Sequence, residues 1–373
     1  MSELARKLAA MKKKAAPEAP APVPALVERS YTRPVDPRLW DITPQALRRM
    51  GLEGAADWDR CAFLDTETTG LSRGAGTVAF LVGVGRISGG RFTVTQVLMP
   101  DYPAEAELLS RVAQLLDGAD TVITFNGRAF DMPLLRARRV MCRLDPMPEY
   151  REWDLLHPAR RVWKMRLKSV RLARIEDVVL GLGREDDLPG SEAPARYFEF
   201  LKTGYFPPLE DVIEHNRQDV LTMETLMAEL GRVYGRPEDL AEQLDLFSLG
   251  REMEKQKDAP LAGALYEKAA VPPPKTSLSA LEGQAYAREA ELRLCRILIR
   301  QGRGEEARDR LASLCETAGW AARTEMAKLC EHTLKDLRQA LRYALLAQAD
   351  AVRPTEIEDS RRRVQRLTHK LEG

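Results

Sequence analysis

Strand-forming segments of this 373-residue chain all lie before Gly235, and helix-forming segments fill nearly all of the chain after it. Before Gly235, short apolar runs alternate with segments whose apolar residues have helical spacing. Because a chain of this length is expected to form two domains, the change of pattern marks a domain boundary. The sequence therefore predicts an α/β domain over residues 35–236 and an all-α domain over residues 237–373.

Four strands and two long helices are predicted in the α/β part. Gly89-Gly90 joins two of the strands and is a dipeptide typical of hairpin turns. The predicted strands cover residues 61–67, 77–87, 91–99 and 121–125, and the predicted helices cover residues 103–116 and 209–234.

Residues 1–34 are predicted to form a disordered tail that is basic at first and then rich in proline and alanine. Residues 1–14 carry five basic residues against one acid, Glu3. They form either a solvated tail or a basic helix that contacts nucleic acid. Residues 17–24 have the composition of a stiff, extended linker. The folded part is therefore expected to start near residues 35–40.

The all-α part places small residues and leucines at helix-packing spacing in residues 262–270, 304–316 and 336–347. This pattern resembles tetratricopeptide helix pairs, although its period is irregular. We therefore expect a helical-repeat domain, and a protein partner that binds to it.

Charge, cysteine content and apolar runs narrow the class of protein to which the chain can belong. The 57 basic and 56 acidic residues nearly cancel, so any surface that binds nucleic acid must be local. The five cysteines are odd in number and contain no C-x-x-C pair, which fits reduced thiols better than disulfides or a zinc site. There is no apolar run long enough to span a bilayer and no signal-peptide core. We expect a cytoplasmic protein without membrane contact.

Two carboxylates follow the apolar start of the first predicted strand. Asp65 and Glu67 are two residues apart, so they project from the same face of a strand. Carboxylates this close repel each other unless a cation lies between them, and hard oxygen ligands suit Mg²⁺ or Mn²⁺. The alternative is a polar strand end with capping threonines.

Two further positions are candidate site residues: Asp131, and the pair formed by His215 and Asp219. Asp131 begins a predicted helix after the strand that ends near Phe125, and this is either a common first-turn acid or a third carboxylate at the sheet edge. His215 and Asp219 lie one helical turn apart on the long predicted helix. They form either a surface pair or a site in which histidine accepts a proton from water.

Residues 155–175 contain seven basic residues and no acid. Arg160, Lys164 and Lys168 would lie along one face of a continuous helix and could follow a phosphate backbone. Trp163 would then either stack on a base or belong to the core. The alternative is a solvated helix face, or pairing of these cations with Glu185, Asp186 and Asp187.

Three segments together resemble the three motifs of the DEDD superfamily of 3′-to-5′ exonucleases. Residues 63–70 (Phe-Leu-Asp-Thr-Glu-Thr-Thr-Gly) resemble the first motif, residues 126–131 the second and residues 215–219 the third. Residues 153–161 and 215–220 are similar to the bacterial YprB-like branch, which consists of predicted exonucleases with a helical-repeat tail. The resemblance covers about residues 55–235, and more weakly the tail.

The resemblance implies a ribonuclease-H-like mixed sheet with flanking helices and metal-dependent hydrolysis of DNA or RNA at a 3′ end. It implies two Mg²⁺ or Mn²⁺ ions held by four acids, a general base and three further substrate contacts. The acids are Asp65, Glu67, Asp131 and Asp219, the base is His215, and the contacts are Thr68, Asn126 and Phe130.

The chain departs from the family pattern at the general base. In the family, four residues separate a histidine from the aspartate and three separate a tyrosine from it, whereas three separate His215 from Asp219. Two other readings remain at this stage. One is an endonuclease of the same fold, and the other is a non-catalytic helical-repeat adaptor that binds nucleic acid. All four acids of the motif set are present, which favours an enzyme.

Overall fold

A computed structural model describes residues 25–70, 76–184, 188–271 and 280–372. These residues form two compact units, and each unit consists of several separate stretches of chain. The first, here called the sheet unit, contains the chain up to Asp36, Ala56–Leu155 and Gly181–Leu226. The second, the helical unit, contains Pro37–Ala55, Leu156–Leu180 and Met227–Gly373. The predicted domain limits of 35–236 and 237–373 do not coincide with these units.

A six-stranded mixed sheet forms the centre of the sheet unit. Its strands are β1 (Val27–Pro34), β2 (Cys61–Thr68), β3 (Ala79–Ser88), β4 (Arg91–Leu98), β5 (Thr121–Thr124) and β6 (Arg151–Asp154). They are ordered β1-β4-β3-β2-β5-β6 across the sheet. Strands β1, β4, β3 and β2 pair antiparallel, and β2, β5 and β6 pair parallel. The predicted mixed sheet is confirmed.

Strand β1 shows that the predicted tail of residues 1–34 is too long at its C-terminal end. It pairs with β4 over its whole length, from Val27 opposite Leu98 to Pro34 opposite Arg91. Six of its eight residues are exposed, so an edge strand of this kind has no apolar alternation to detect. The basic N-terminal segment and the proline-rich linker, residues 1–24, lie outside the described residues.

The helices are numbered here in chain order. They are α1 (Pro44–Met50), α2 (Glu105–Leu115), α3 (Asp131–Met141), α4 (Leu156–Leu167), α5 (Leu172–Ile175), α6 (Ala193–Thr203), α7 (Pro207–Gly235), α8 (Gln243–Lys255), α9 (Ala259–Ala269), α10 (Ala280–Arg300), α11 (Gly304–Leu314), α12 (Gly319–His332), α13 (Leu337–Asp350) and α14 (Pro354–Glu372).

Buried side chains from the sheet and its helices form the core of the sheet unit. The apolar run at the start of β3 is buried, and the ring of Phe80 stacks on Tyr197 of α6 with 4.1 Å between centroids. The Tyr197 hydroxyl donates a hydrogen bond to the Met99 carbonyl at 3.0 Å, which satisfies the polar end of a buried side chain.

Helix α7 packs directly against β3 because two glycines of that strand have no side chain. A Cβ atom at Gly83 or at Gly85 would lie 2.9 Å from the side chain of Val220, which is closer than carbon atoms approach. The absence of both Cβ atoms lets α7 carry Asn216 close to the middle of the sheet. The expected packing of the helix on the sheet is therefore observed.

The helical unit contains α1, α4, α5, the end of α7 and the helices that follow it. The predicted helical character of the C-terminal part is confirmed. The tetratricopeptide-like nature of this array stays a prediction. Helix α4 ends at Leu167, and Lys168 has a left-handed φ of 61°, so residues 155–175 are not one continuous helix. Arg166 on α4 pairs with the buried Asp245 on α8 at 2.8 Å. None of the described helices is both long enough and apolar enough to cross a membrane.

Candidate active site

Asp65 and Glu67 lie at the end of the central strand β2. The strand pairs with β3 on one side and with β5 on the other, so its last residues are held from both sides. Asp65 lies opposite Gly83, and the pairing with β3 becomes irregular between Glu67 and Thr68. Only 9% of Glu67 is exposed. Asp65 and Glu67 therefore lie two positions apart on a largely buried strand that is paired on both sides.

Asp131 is brought to the same strand by the loop after β5. The Thr66 hydroxyl donates a short hydrogen bond to Asp131 Oδ1. A Cβ atom on Gly127 would lie 2.7 Å from Asp131 Oδ2, so a side chain at this loop position would collide with the carboxylate. The first residue of α3 therefore lies beside β2 because the loop can pass close to it.

Asp154, at the end of β6, supports the same loop. Its Oδ1 accepts a hydrogen bond from the backbone N–H of Asn126 at 2.8 Å. Asn126 has a left-handed φ of 72°, a conformation that residues with a side chain rarely adopt, and asparagine tolerates it better than most. The sequence alone does not reveal this contribution of Asp154, because it depends on the pairing of β5 with β6.

Asn216 connects helix α7 to Asp65 through buried hydrogen bonds. Its side-chain N–H donates to Asp65 Oδ2 at 2.8 Å and more weakly to the Asp65 carbonyl at 3.3 Å. Gln96 on β4 donates to Asn216 Oδ1 at 2.8 Å and to the Ile213 carbonyl at 2.7 Å. Both amide side chains are buried. The orientation of the Asp65 carboxylate is therefore fixed by residues from two other elements.

The four predicted acids interact with one another electrostatically. Burial raises the pKa of Asp65 well above its usual range, the charges of Asp219, Asp131 and Glu67 raise it further, and the hydrogen bond from Asn216 opposes them. Burial and the charges of Asp219 and Asp131 raise the pKa of Glu67 to about 8. Buried acids that lie this close repel one another when they are charged, and a cation among them reduces the repulsion.

Asp131 is less perturbed than the two acids on β2. Burial raises its pKa to about 6, and the hydrogen bond from Thr66 acts in the opposite direction. The nearby charge of Asp154 contributes a further increase. The hydroxyl of Thr66 therefore favours the charged form of this acid, as a hydrogen-bond donor to a carboxylate should.

His215 and Asp219 lie on the face of α7 that is turned to these acids. His215 Nε2 is 3.9 Å from Glu67 Oε1 and 3.7 Å from Asp219 Oδ2. Arg184, which the sequence analysis missed, also reaches this position. Its Nη2 donates to Asp219 Oδ1 at 2.5 Å, and its Nη1 lies 3.2 Å from His215 Nδ1. Arg184 lies in a loop without periodicity, so the sequence offers no signal for it.

The donor set was tested for its fit to a divalent cation. Among the described residues, no group of three or more His, Cys, Asp and Glu side chains is arranged to hold a metal ion. The acids instead face local partners: Thr66 for Asp131, Asn216 for Asp65 and Arg184 for Asp219. Their chemistry nevertheless fits Mg²⁺ or Mn²⁺, since all four are oxygen donors and three have a raised pKa.

The predicted substrate contacts of the sheet unit are partly accessible. The side chain of Phe130, next to Asp131 in the chain, is 44% exposed. Asn126 is half-buried on the same loop. The hydroxyl of Thr68 donates to the Gly70 carbonyl at 2.8 Å. Phe130 is therefore the side chain of this set that presents the most apolar surface to a ligand.

The basic residues of the α4 region belong to the helical unit. Arg160 and Lys164 are exposed, and neither forms an ion pair within the described part of the chain. Lys168 pairs with Glu282 at 3.1 Å. Trp163 is 1% exposed and belongs to the core, so it cannot stack on a base. The acids considered as alternative partners, residues 185–187, lie outside the described residues.

Comparisons with known proteins give a consistent result. Residues 62–231 match the family described as the RNase_H superfamily. The chain is also 32% identical over 317 residues to the uncharacterized protein YprB of Bacillus subtilis (strain 168), and the match covers 83% of this chain and 74% of that protein. The family match contains all five predicted catalytic positions, Asp65, Glu67, Asp131, His215 and Asp219.

Proposed function

Since the chain belongs to the ribonuclease H superfamily, we propose that it is a metal-dependent 3′-to-5′ exonuclease that hydrolyses phosphodiester bonds of DNA or RNA. Membership of the superfamily indicates a nuclease-type hydrolase with a ribonuclease-H-like domain. The observation that supports the finer proposal best is the close approach of four acids from three elements, in which the charge of Asp219 raises the pKa of both Asp65 and Glu67. These acids are Asp65, Glu67, Asp131 and Asp219.

In the proposed reaction, two Mg²⁺ or Mn²⁺ ions would be held by Asp65, Glu67, Asp131 and Asp219. When bound, such ions stabilise the negative charge on the attacking and leaving oxygens of a phosphodiester. Asn216 keeps one Asp65 oxygen in a fixed direction through its 2.8 Å hydrogen bond. Thr66 does the same for Asp131. These two contacts would position the acids before a substrate arrives, which is the contribution a protein makes to such a site.

His215 is the proposed general base. Its Nε2 faces the carboxylates of Glu67 and Asp219 at 3.9 and 3.7 Å, so a proton received there would lie close to two negative charges. The three-residue spacing from His215 to Asp219 is therefore compatible with this role, because both side chains lie on the same face of α7.

The proposed substrate contacts divide between base and backbone recognition. The exposed ring of Phe130 offers a face on which a terminal base can stack, a contact that tolerates any base. Asn126 and Thr68 are proposed to contact the sugar-phosphate backbone. Arg160, Lys164 and Lys168 are proposed as phosphate contacts, of which the first two are exposed and without an ion pair in the described part of the chain.

The adaptor interpretation is disfavoured by the electrostatics of the site. Burial of mutually repelling acids reduces the stability of the metal-free protein, and a protein that only binds other molecules has no chemical need for it. Binding of a protein partner by the helical unit is compatible with this proposal, since such binding does not exclude catalysis.

Oligonucleotides labelled at the 3′ or the 5′ end test the proposal. DNA and RNA, single-stranded and duplex, are incubated with the protein in Mg²⁺, in Mn²⁺ or in chelator. We expect metal-dependent release of 3′-terminal mononucleotides. Internal fragments from a substrate with blocked ends would instead identify an endonuclease. Absence of cleavage with every substrate and both metals would contradict a nuclease.

The matched variants are Asp219→Asn and Glu105→Gln. Asp219→Asn should reduce the hydrolysis rate about a thousandfold or more, since a lost metal ligand removes several kcal/mol of transition-state stabilisation. Glu105, which pairs with Arg138 on α3 at 2.5 Å, lies in the same unit outside the acidic cluster. Its variant should retain activity as long as the protein is folded. Full activity in Asp219→Asn would exclude the proposed ligand set.

A further inference from the structure

Arg184 lies against the acidic cluster although the proposed chemistry does not use it. We propose that Arg184 is the resident counter-ion of the site, that a divalent cation displaces it from Asp219, and that its guanidinium then binds a phosphate of the nucleic acid. This inference rests on the proposed nuclease function and concerns the regulation of the same site.

The burial of the three side chains shows that this contact belongs to the site. The side chains of Arg184, His215 and Asp219 are 10%, 12% and 18% exposed. A guanidinium ion removed from water to this extent is retained only where acceptors replace its solvation. Asp219 provides one acceptor at 2.5 Å and His215 another at 3.2 Å.

The contact with Asp219 competes with a metal ion for that carboxylate oxygen. Guanidinium and a divalent cation seek the same lone pairs, and both carry positive charge, so they cannot occupy the position together. This explains why the four acids approach one another without forming a cation site among the described residues. The side chain of Arg184 therefore supplies part of the positive charge that the cluster requires.

The contact with His215 sets the position of the imidazole proton. Arginine has hydrogen-bond donors and no acceptor, so His215 Nδ1 must accept from Nη1. A neutral imidazole that accepts at Nδ1 carries its proton on Nε2, on the side that faces Glu67 and Asp219. Departure of Arg184 would therefore end its contacts with the proposed metal ligand and with the proposed base together.

The displaced guanidinium has an obvious acceptor in the proposed substrate. A phosphate presents paired oxygens that match the fork of the arginine side chain, and such pairs are frequently bidentate. A nucleic acid and a metal ion would then favour each other's binding, because the phosphate stabilises Arg184 in its displaced position. Site-specific coupling of this kind must act equally in both directions.

Binding of Mn²⁺ and of a nucleoside 5′-monophosphate measures both parts of the proposal without any cleavage. Mn²⁺ is titrated into the full-length protein and into Arg184→Gln, with calorimetry or electron paramagnetic resonance as the readout. Thymidine 5′-monophosphate is then titrated in saturating Mn²⁺. Removal of a competing cation should tighten Mn²⁺ binding about tenfold, and loss of the phosphate contact should weaken nucleotide binding about tenfold.

The direction of the change distinguishes this proposal from a purely structural role. If Arg184 merely holds Asp219 in a metal-ready orientation, Arg184→Gln will bind Mn²⁺ more weakly or equally, and either result overturns the counter-ion assignment. Tighter Mn²⁺ binding with unchanged nucleotide affinity overturns the phosphate contact. If neither protein binds Mn²⁺, both this inference and the proposed metal-dependent function fail.

Two further variants control for charge and folding. Arg184→Lys keeps the charge and loses the planar fork, so it should retain weaker Mn²⁺ binding while nucleotide affinity falls. Arg111→Gln removes an arginine of the same unit that pairs with Glu28 at 2.8 Å on the surface. It should leave both affinities unchanged. An equal effect of Arg111→Gln would show that net charge, and not the position of Arg184, governs binding.

Discussion

Replacement of Glu67 by glutamine should stabilise the metal-free protein at alkaline pH and have little effect near pH 4.5. Glutamine has nearly the same shape as glutamate and cannot carry the charge that the site disfavours. In the wild-type protein, burial and the charges of Asp219 and Asp131 raise the pKa of Glu67 from 4.5 to about 8. In the unfolded chain this carboxyl has no such neighbours.

The sign follows from proton linkage. Between the unfolded and the folded pKa of Glu67, the folded protein binds more protons than the unfolded chain does, so the free energy of unfolding falls as pH rises. The contribution is complete below about pH 4.5 and is lost as pH increases through about 8. One pKa unit corresponds to about 1.36 kcal/mol, so the whole shift corresponds to roughly 5 kcal/mol.

Only part of this energy is recovered in the variant. A buried glutamine amide also has to leave water, and that retains some of the penalty for burial. Relief of the repulsion from Asp131 and Asp219 remains as the gain. We therefore expect Glu67→Gln to be about 2 kcal/mol more stable than wild type at pH 9 in chelator.

Urea unfolding between pH 4.5 and 9 in chelator measures the difference between the two proteins. Glu105→Gln is the matched control, because Glu105 is buried in the same unit and its charge is held by Arg138 at 2.5 Å. That variant should lose about 1–3 kcal/mol near neutral pH. A difference for Glu67→Gln that does not change with pH, or a loss of stability at pH 9, would refute the reasoning.

Three further predictions follow from contacts outside the four acids. Asn216→Ala should lower the free energy of unfolding, measured in urea, by about 2–3 kcal/mol, because the buried side chains of Gln96 and Asp65 each lose a hydrogen bond. An unchanged free energy of unfolding would contradict this network. Charge reversal of Arg160 and Lys164 should reduce the slope of log affinity against log salt for an oligonucleotide by about two, and an unchanged slope would indicate a solvated face. Removal of residues 240–373 should give an insoluble fragment, because residues 156–180 belong to the same unit; a soluble, cooperatively unfolding fragment would restore the predicted boundary.

The central strands of the sheet were predictable because they consist largely of buried apolar residues, which form visible apolar runs in the sequence. The predicted second and third strands and their Gly89-Gly90 turn correspond to β3 and β4. Strands β1 and β6 were not predicted. One is an exposed edge, and the other consists of four residues, Arg-Glu-Trp-Asp, whose strand conformation comes from pairing with β5. Local patterns carry no information about such pairing.

Within the candidate site, the sequence indicated residues whose chemistry is visible in short motifs. Asp65 and Glu67 follow from the two-residue strand period, and the structure brings Asp131 and Asp219 near them. Asn216 lies within residues 215–220, which resemble a family motif, but its hydrogen bond to Asp65 spans 151 positions of the chain. Long-range contacts of this kind depend on the finished fold, so a single sequence does not show them.

The predicted domain limits of 35–236 and 237–373 differ from the two compact units for the same reason. Helix α4 has no strand character, yet it follows β6 directly, and the predicted boundary near residue 236 assigned it to the α/β part. Its place in the helical unit depends on partners such as Asp245, which lies 79 positions after Arg166. Composition changes along a chain locate boundaries only where each domain is continuous in sequence.

The interleaved chain path has a consequence for biosynthesis. The sheet unit is complete only when residues up to Leu226 have been made, since Asp219 and Asn216 lie on its last stretch. At the usual speed of translation this takes roughly 10–45 s. During that time Pro37–Ala55 and Leu156–Leu180 are already outside the ribosome, while their main partners, Met227–Gly373, are still missing. Trp163 and the other apolar side chains of α4 therefore remain exposed on the nascent chain, where they are a ready binding site for a chaperone.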